Sequence, residues 1–266
     1  MAPVEWKNDW PIIVPSGAIV EDHYPVPFPK TTRKVSNPYN GLTAFKESFS
    51  GPALDRSWLF LRVPTEKWYS LSERKGFFSM RLLPQTCDEG AAFIGHRQQQ
   101  PEGYAATALD FQPAEENEKA GLLVFQNESH FYYLCRSVKG RRPVVQLFRS
   151  TNISPSAERV PPLAVGTPAF DSARMELIAS QDLDTTVLTG NRLQLKIVAR
   201  GDTYSFYYST KKDAWNMLKE KVDAKFLSTH TAGGFTGCIY ALYATSLGLP
   251  SKSTAYFDWF TTAGLP

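Results

Sequence analysis

Carboxylate side chains are the first candidates for chemistry, because acid–base hydrolysis needs two of them held at a defined separation. The densest acidic group follows Pro113 in a polar stretch and comprises Glu115, Glu116 and Glu118. Nothing around it marks a buried acid/base pair, so we expect a solvated loop. The sequence has no GxSxG motif, and no partner pattern accompanies its histidines, which are His23, His96, His130 and His230. We therefore predict that the chain holds no complete catalytic site of its own.

Aromatic and polar side chains on strands could instead bind a carbohydrate, since rings stack on the C–H faces of sugars while polar groups bond the hydroxyls. Alternation from Ala92 places Arg97 and Gln99 on one strand face and His96 on the other. We expect Arg97 and Gln99 to line the concave face of a sheet. The aromatic residues that could supply a stacking platform are Trp68, Tyr132, Tyr207 and Trp215. The alternative is that Arg97 pairs with a buried acid and that the rings belong to the core or its rim.

Two carboxylates near the ends of the chain could hold a structural metal ion. Glu47 precedes the first core strand and Asp258 lies in YFDWF, so the two could supply oxygen ligands to a Ca²⁺ that ties the ends together. The competing interpretation is that Asp258 caps a turn. The cysteines Cys87, Cys135 and Cys238 lack zinc-site spacing, and at most one pair of them could form a disulfide.

Composition excludes several classes of partner. The 266 residues carry 29 Lys and Arg against 26 Asp and Glu, a formal charge of +3. The densest basic cluster, Lys139, Arg141 and Arg142, is interrupted by Gly140 and reads as a hairpin tip, so we expect no nucleic-acid partner. No stretch reaches the roughly 20 apolar residues of a membrane span, and we expect no membrane contact.

The elements that must position these side chains are short strands. Residues 1–40 are rich in proline, including PVPFP at 25–29, and predict an extended leader or linker. From residue 41 to 266, alternating runs separated by turn residues predict an all-β, two-sheet antiparallel β-sandwich. The predicted strands cover 77–83, 92–99, 104–111, 120–126, 131–137, 144–149, 173–179, 192–200, 203–209, 237–244 and 253–261. Only residues 213–224 suggest a helix, with poor apolar spacing.

Five ordered blocks resemble a known family. They are LDRSWLFLRVP at 54–64, the run from AAFIGHRQQQ to ESHFYYL at 91–134, LSTHTAGGFTG at 227–237, ALYAT at 241–245 and AYFDWF at 255–260. Together they are similar to the C-terminal concanavalin A-like jelly roll attached to family 43 glycoside hydrolases, the β-xylosidases and α-arabinofuranosidases. The family often has Gly where this chain has Ala241, a departure that concerns strand packing.

The resemblance implies where catalysis would reside. The segment PVEWKNDWPIIVPSGAIVEDHYPVP at 3–27 resembles the crossing from the catalytic five-bladed propeller of these enzymes to the sandwich. In the family the hydrolytic carboxylates lie on the propeller, upstream of this segment, and a sandwich loop leans over the propeller's pocket.

Three functions follow as alternatives. The leading one is a non-catalytic accessory or carbohydrate-binding module for xylan or arabinoxylan, with a propeller domain as partner. The second is a scaffold that only stabilises such a partner. The third is a stand-alone glycoside hydrolase, which would need paired carboxylates that we do not find. The sequons at Asn127 and Asn152 fit a secreted protein, and secretion is our expectation for its location.

Overall fold

The computed structural model describes residues 2–14, 18–21, 24–25, 44–87, 91–151, 175–184, 192–212 and 214–265. The chain divides into two compact units, Met1–Tyr39 and Asn40–Pro266. In the first unit, β1 (Glu5–Lys7) and β2 (Trp10–Ile12) form an antiparallel hairpin, which the sequence did not predict. Its two turn residues, Asn8 and Asp9, have φ angles of 51° and 62°. Both residue types tolerate this left-handed region better than most, which suits a two-residue hairpin turn.

The second unit contains two large sheets whose strand pairs are all antiparallel. The seven-stranded sheet runs, in spatial order, β12 (Met175–Asp182), β11 (Arg142–Ser150), β10 (His130–Lys139), β9 (Lys119–Asn127), β16 (Ile239–Thr245), β7 (Ala92–Arg97) and β4 (Leu59–Phe60). The eight-stranded sheet runs β15 (Asn216–Asp223), β14 (Thr203–Ser209), β13 (Arg192–Arg200), β8 (Gly103–Asp110), β17 (Thr254–Gly264), β6 (Phe78–Arg81) and β5 (Tyr69–Ser70), with β3 (Ala44–Glu47) also paired to β17. The predicted two-sheet antiparallel sandwich is confirmed. No helix among the described residues is long and apolar enough to cross a membrane.

Tight hairpins join the longest neighbouring strands at the places that turn residues predict. Arg200 pairs with Thr203 across Gly201-Asp202, and Lys139 pairs with Arg142 across the basic tip. The predicted charged hairpin tip is therefore confirmed. Two short helical turns, Ala224–Leu227 (3₁₀) and α1 (Thr229–Ala232), lie between β15 and β16.

Alternation along the strands builds a core between the two sheets. The seven-stranded sheet contributes apolar side chains such as Leu122 and Leu242, and the eight-stranded sheet contributes others such as Leu195, Phe206 and Phe257. All five are fully buried. At about 25 cal/mol per Å² of apolar surface removed from water, this layer supplies the main favourable term in folding.

A second apolar cluster occupies the outward face of the seven-stranded sheet. Its buried members are Cys87, Ala91, Phe93, Leu123, Phe125, Phe131, Tyr133, Cys135, Phe148, Met175, Ala241, Tyr243 and Leu247. Both faces of the strand from Ala92 are apolar near its start, because Phe93 and Ile94 point to opposite clusters and both are buried. Ala241 pairs with Gly95 inside this layer, consistent with a packing role for the departure from the family's Gly.

Two further expectations are corrected. Residues Asn216–Asp223 form an edge strand and not a helix. Glu118 is buried, and its carboxylate accepts hydrogen bonds from the hydroxyls of Ser251 and Ser253 and from the Ala114 amide. The Glu118 carboxylate thus ties two loops together, because a buried charge must be paired with donors to be tolerated. All three cysteines carry thiols, within the expected limit of at most one disulfide.

Candidate functional site

Two of the predicted sugar-stacking rings lie in the core. Tyr132 is 1% exposed and Trp68 is 4% exposed. The Tyr132 hydroxyl donates to the Asp223 carbonyl at 2.8 Å, and burial raises the pKa of this hydroxyl to about 12. Neither ring offers a face to a ligand, so the structure corrects the prediction of a stacking platform at these two positions.

Arg97 and Gln99 lie at the end of β7, where both side chains are exposed. The Arg97 guanidinium points Nη1 at the Gly237 carbonyl, 3.5 Å away, and pairs with no acid among the described residues. The two residues therefore border the loop that precedes β16. Their role in binding sugar stays a prediction.

That loop, Gly233–Gly237, presents a large apolar side chain to solvent, and we call it the Phe235 loop. Phe235 is fully exposed, at 101% of the reference area. Gly233 and Gly234 have φ angles of 72° and 73°, a region that glycine adopts without the steric cost of a side chain. Sequence reasoning did not single out Phe235. A bulky apolar residue between glycines was the available signal.

Both ends of the Phe235 loop are anchored to the seven-stranded sheet. Before the loop, the Asn127 side-chain amide donates to the Ala232 carbonyl at 2.9 Å. After it, the Gln98 backbone amide donates to the Cys238 carbonyl at 2.9 Å. The loop is thus an exposed tip on a fixed base, an arrangement that is common where a loop makes contact with a partner.

The other two predicted platform residues, Tyr207 and Trp215, come together on the outward face of the eight-stranded sheet. Lys196 lies between them, with Nζ 4.1 Å from the Trp215 ring centroid and 5.0 Å from that of Tyr207. An ammonium group over an aromatic face is attracted by the ring quadrupole. We call this surface, which also carries Gln194, Ser209 and Trp259, the open face.

A row of directly opposed residues crosses four strands of the open face: Ser209, Gln194, Ala108 and Trp259. Because neighbouring strands lie about 4.8 Å apart, the backbones at Gln194 and Trp259 lie about 10 Å apart, with the fully buried Ala108 between them. A cavity of about 300 Å³ opens beside the row and is lined by Arg192, Gln194, Ser209, Thr210, Lys211, Lys212 and Trp259. This volume lies at the lower end of the range for small-molecule sites.

A β-bulge in β17 places Trp259 on this face. Phe257 pairs with Leu109 while Trp259 pairs with Ala108, which leaves Asp258 as the extra residue. The bulge keeps both Phe257 and Phe260 in the core although they are three residues apart, and it turns Trp259 outward. Sequence reasoning missed both Trp259 and Gln194. For Trp259 the reason is that strict alternation places its side chain on the same face as that of Phe257.

The two predicted calcium ligands lie on neighbouring strands. The carboxylate of Glu47 accepts from the Phe49 amide at 2.8 Å, and that of Asp258 pairs with the Arg192 guanidinium. Among the described residues, no group of three or more His, Cys, Asp or Glu side chains gathers at metal-binding distance. A Ca²⁺ ion at Asp258 would have to displace the Arg192 cation. The calcium site stays a prediction.

The buried histidines of the described sandwich, His96 and His130, pack against other side chains of the fold. His96 stacks on Phe45 with centroids 4.3 Å apart, and desolvation lowers the pKa of its imidazole. Burial also lowers the pKa of His130, which lies 3.0 Å from the Asn127 side-chain oxygen. No carboxylate lines the cavity of the open face among the described residues, so that site lacks the acid/base pair of a glycosidase.

Comparison with known proteins identifies the class of domain. The family model described as the beta xylosidase C-terminal concanavalin A-like domain matches residues 46–263. The chain therefore belongs to this family of C-terminal β-sandwich domains, as its five sequence blocks and its fold had indicated.

Individual relatives are longer proteins. The chain is 26% identical over 270 residues to a xylosidase/arabinosidase of Butyrivibrio fibrisolvens, covering 98% of this chain and 45% of the relative. It is 28% identical over 268 residues to the non-reducing end alpha-L-arabinofuranosidase BoGH43B of Bacteroides ovatus, covering 98% and 44%. The chain thus spans less than half the length of these curated relatives.

Solved structures show the same fold. The xyloglucan-locus GH43B structure from Bacteroides ovatus aligns with a TM-score of 0.77 at 24% identity, over 99% of this chain and 46% of that one. Xylan beta-1,4-xylosidase from Bacillus halodurans aligns with a TM-score of 0.71 at 22% identity, over 97% and 45%.

Proposed function

We propose that the chain is a non-catalytic accessory module that works with a propeller catalytic domain of a family 43 hydrolase on xylan-type chains outside the cell. The observation that carries this proposal is the fully exposed Phe235 on its anchored loop. A phenylalanine side chain gains about 1.5–3 kcal/mol when it leaves water, so its exposure in this chain suits contact with a partner surface. The names of the relatives, a xylosidase/arabinosidase and an arabinofuranosidase, supply the substrate class.

The role of the Phe235 loop can be tested in a chimera. The aligned C-terminal part of the Bacteroides ovatus arabinofuranosidase would be replaced by residues 1–266 of this chain. We expect a folded chimera that hydrolyses an aryl α-arabinofuranoside, and we expect Phe235→Ala to lower its kcat/KM about tenfold or more, the loss that corresponds to about 1.4 kcal/mol of binding.

Val63 provides a matched control for this substitution. It is also an exposed apolar residue, at 86%, but lies in the loop after β4. The control Val63→Ala should leave kcat/KM unchanged. Equal kcat/KM values for the chimera and its Phe235→Ala variant, or a folded chimera without activity, would contradict the proposal.

The open face favours a second, compatible function, which is direct binding of the polysaccharide. Tyr207 and Trp215 flank Lys196 there, and Trp259 adds a third ring beside the cavity. Rings with neighbouring hydrogen-bonding groups are the usual chemistry of sugar sites. The purified chain should be retained on insoluble xylan more than on cellulose and should release no sugar. No retention would favour the scaffold function, and sugar release would mean that the chain is an enzyme.

A further inference from the structure

The cavity of the open face contains an unsatisfied polar group. Gln194 is 7% exposed, and its side-chain oxygen Oε1 has no hydrogen-bond partner among the described residues. A buried carbonyl oxygen without a donor costs about 1–3 kcal/mol, so its retention here needs an explanation. The terminal carboxamide torsion has broad preferences, and its rotation presents the oxygen or the nitrogen to the cavity.

Cations stand on one side of this cavity. Lys211 and Lys212 are exposed at its rim, and neither forms an ion pair with a carboxylate of the described residues. The backbone of Lys211 is held by Ser209. The Ser209 hydroxyl donates to the Lys211 carbonyl, and the Lys211 amide donates to the Ser209 hydroxyl oxygen at 3.2 Å. Arg192 is already paired with Asp258, so among the described residues the positive charge that no carboxylate compensates here is that of the two lysines.

An apolar surface stands on the opposite side. Trp259 is half-buried and lines the cavity across from Gln194, with the fully buried Ala108 between them. A ligand that filled the cavity would thus meet the Trp259 indole, the Gln194 carboxamide and two ammonium groups. Inorganic phosphate would pair with the lysines but would leave the Trp259 indole without an apolar partner.

We propose that this cavity binds a sugar that carries a carboxylate, such as a hexuronic acid side group of a polysaccharide. This inference rests on the proposed binding of polysaccharide by the open face, and it names the substituent that the cavity selects. The C–H face of the sugar packs on Trp259, its hydroxyls bond the Gln194 carboxamide, and its carboxylate lies between Lys211 and Lys212. An ion pair at such an exposed rim adds affinity that salt screens.

The cavity and the Phe235 loop are separate surfaces. The cavity residues Arg192 and Ser209 lie at the open end of the β13–β14 hairpin, where β13 begins and β14 ends. Tyr204 lies at the opposite end, next to the turn, and its hydroxyl donates to the Gln98 side-chain oxygen. The backbone of Gln98 in turn anchors the base of the Phe235 loop. The nine residues of β13 span about 26 Å at 3.3 Å per residue. Substitutions that abolish sugar binding in the cavity should therefore leave the Phe235 loop intact.

The test compares two ligands that differ only in the carboxylate. The full chain is titrated with methyl β-D-glucuronide and with methyl β-D-glucoside, and binding is followed by NMR of the tryptophan indole signals. We expect the glucuronide to bind at least fivefold more tightly at low salt, with the ratio falling towards one as salt is raised. The Trp259 indole signal should shift in both titrations.

Variants assign the effect to the cavity. The double variant Lys211→Gln with Lys212→Gln should lose the preference for the glucuronide and keep its fold, because both side chains are exposed. The matched control, Lys139→Gln with Lys225→Gln, removes the same charge elsewhere and should keep the preference. Trp259→Ala should weaken both ligands.

The outcomes separate this inference from the function on which it rests. Equal affinities for the two ligands, or a preference that survives the Lys211/Lys212 substitutions, would overturn the carboxylate site while retention on neutral xylan could still stand. Retention on xylan without any shift of the Trp259 signal would also overturn it. Absence of retention would instead remove the polysaccharide-binding proposal.

Discussion

The outward faces of the two sheets are used in opposite ways. On the seven-stranded sheet this face is buried and apolar, with Phe93, Leu123 and Tyr133 almost fully excluded from solvent. On the eight-stranded sheet it carries Tyr207, Lys196 and the cavity beside Gln194. Both faces arise from the same two-residue alternation. The comparison teaches that aromatic content alone does not distinguish the two faces in this chain, because the rings are buried on one face and accessible on the other.

The largest expected difference between the two faces is in the stability lost when a single tyrosine is replaced by alanine. Tyr133 is fully buried, and its hydroxyl donates to the Tyr243 carbonyl at 3.1 Å. Tyr133→Ala should lower the free energy of unfolding by about 3–5 kcal/mol, the usual cost of removing a large buried ring. Tyr207→Ala on the open face should cost less than about 1 kcal/mol. Urea titrations measure both, and equal losses would contradict the distinction between the faces.

A smaller effect is expected where strands of the buried face approach closely. A Cβ atom at Gly121 would lie 2.7 Å from Cys135 Cα and still closer to the Leu134 carbonyl oxygen, both backbone atoms of β10. Gly121→Ala should therefore destabilise the fold by about 1–3 kcal/mol, because backbone cannot move aside as a side chain can. At Gly51 the same substitution meets its nearest atom at 3.6 Å and should be tolerated. Similar unfolding midpoints for the two variants would refute this reasoning.

A pH-dependent effect is expected from His96 in the core between the sheets. Desolvation holds the pKa of this imidazole below its ordinary 6.5, against the smaller opposing effects of a backbone hydrogen bond at Arg97 and of the Asp55 charge. The unfolded chain therefore takes up the proton first as pH falls. The contribution of His96 is fully present above pH 6.5 and is lost below it, by at most about 1.4 kcal/mol per pH unit.

The substitution His96→Phe should reduce this dependence while keeping a ring on Phe45. Unfolding free energies would be measured at pH 7.5 and pH 5.5 for both proteins. The loss of stability between the two pH values should be smaller in the variant, with His130 accounting for part of the remainder because burial lowers its pKa as well. Identical losses would show that His96 does not titrate in this range.

The smallest expected change in stability concerns Phe235. Its side chain is fully exposed, so Phe235→Ala should alter the free energy of unfolding by no more than about 0.5 kcal/mol. A larger loss in thermal or urea unfolding would mean that Phe235 supports the fold, and the loop would then need another explanation than contact with a partner.

Sequence patterns predicted the central strands well because turn residues bound them. The ranges 192–200 and 203–209 agree with the structure at every residue, with Gly201-Asp202 as the turn between them. The edge strand β15 was missed since its exposed lysines, which protect a sheet edge from pairing with other chains, resemble a helix surface.

The candidate site was harder to predict than the strands. Tyr132 and Tyr207 occupy equally plausible positions in the sequence, and alternation does not tell an inward face from an outward one when both sides of a strand are apolar. Trp259 reaches the open face only through the bulge at Asp258. A bulge depends on pairing with the neighbouring strand, which a single strand's pattern does not contain.

We propose that the open face binds sugar and that the chain carries out no catalysis, and one NMR titration with xylohexaose tests both parts. The tryptophan indole signals of Trp215 and Trp259 should shift as sugar is added, those of the buried Trp58 and Trp68 should not, and no free xylose should appear. Shifts confined to the buried tryptophans, no shift at millimolar sugar, or the growth of xylose signals would contradict the account.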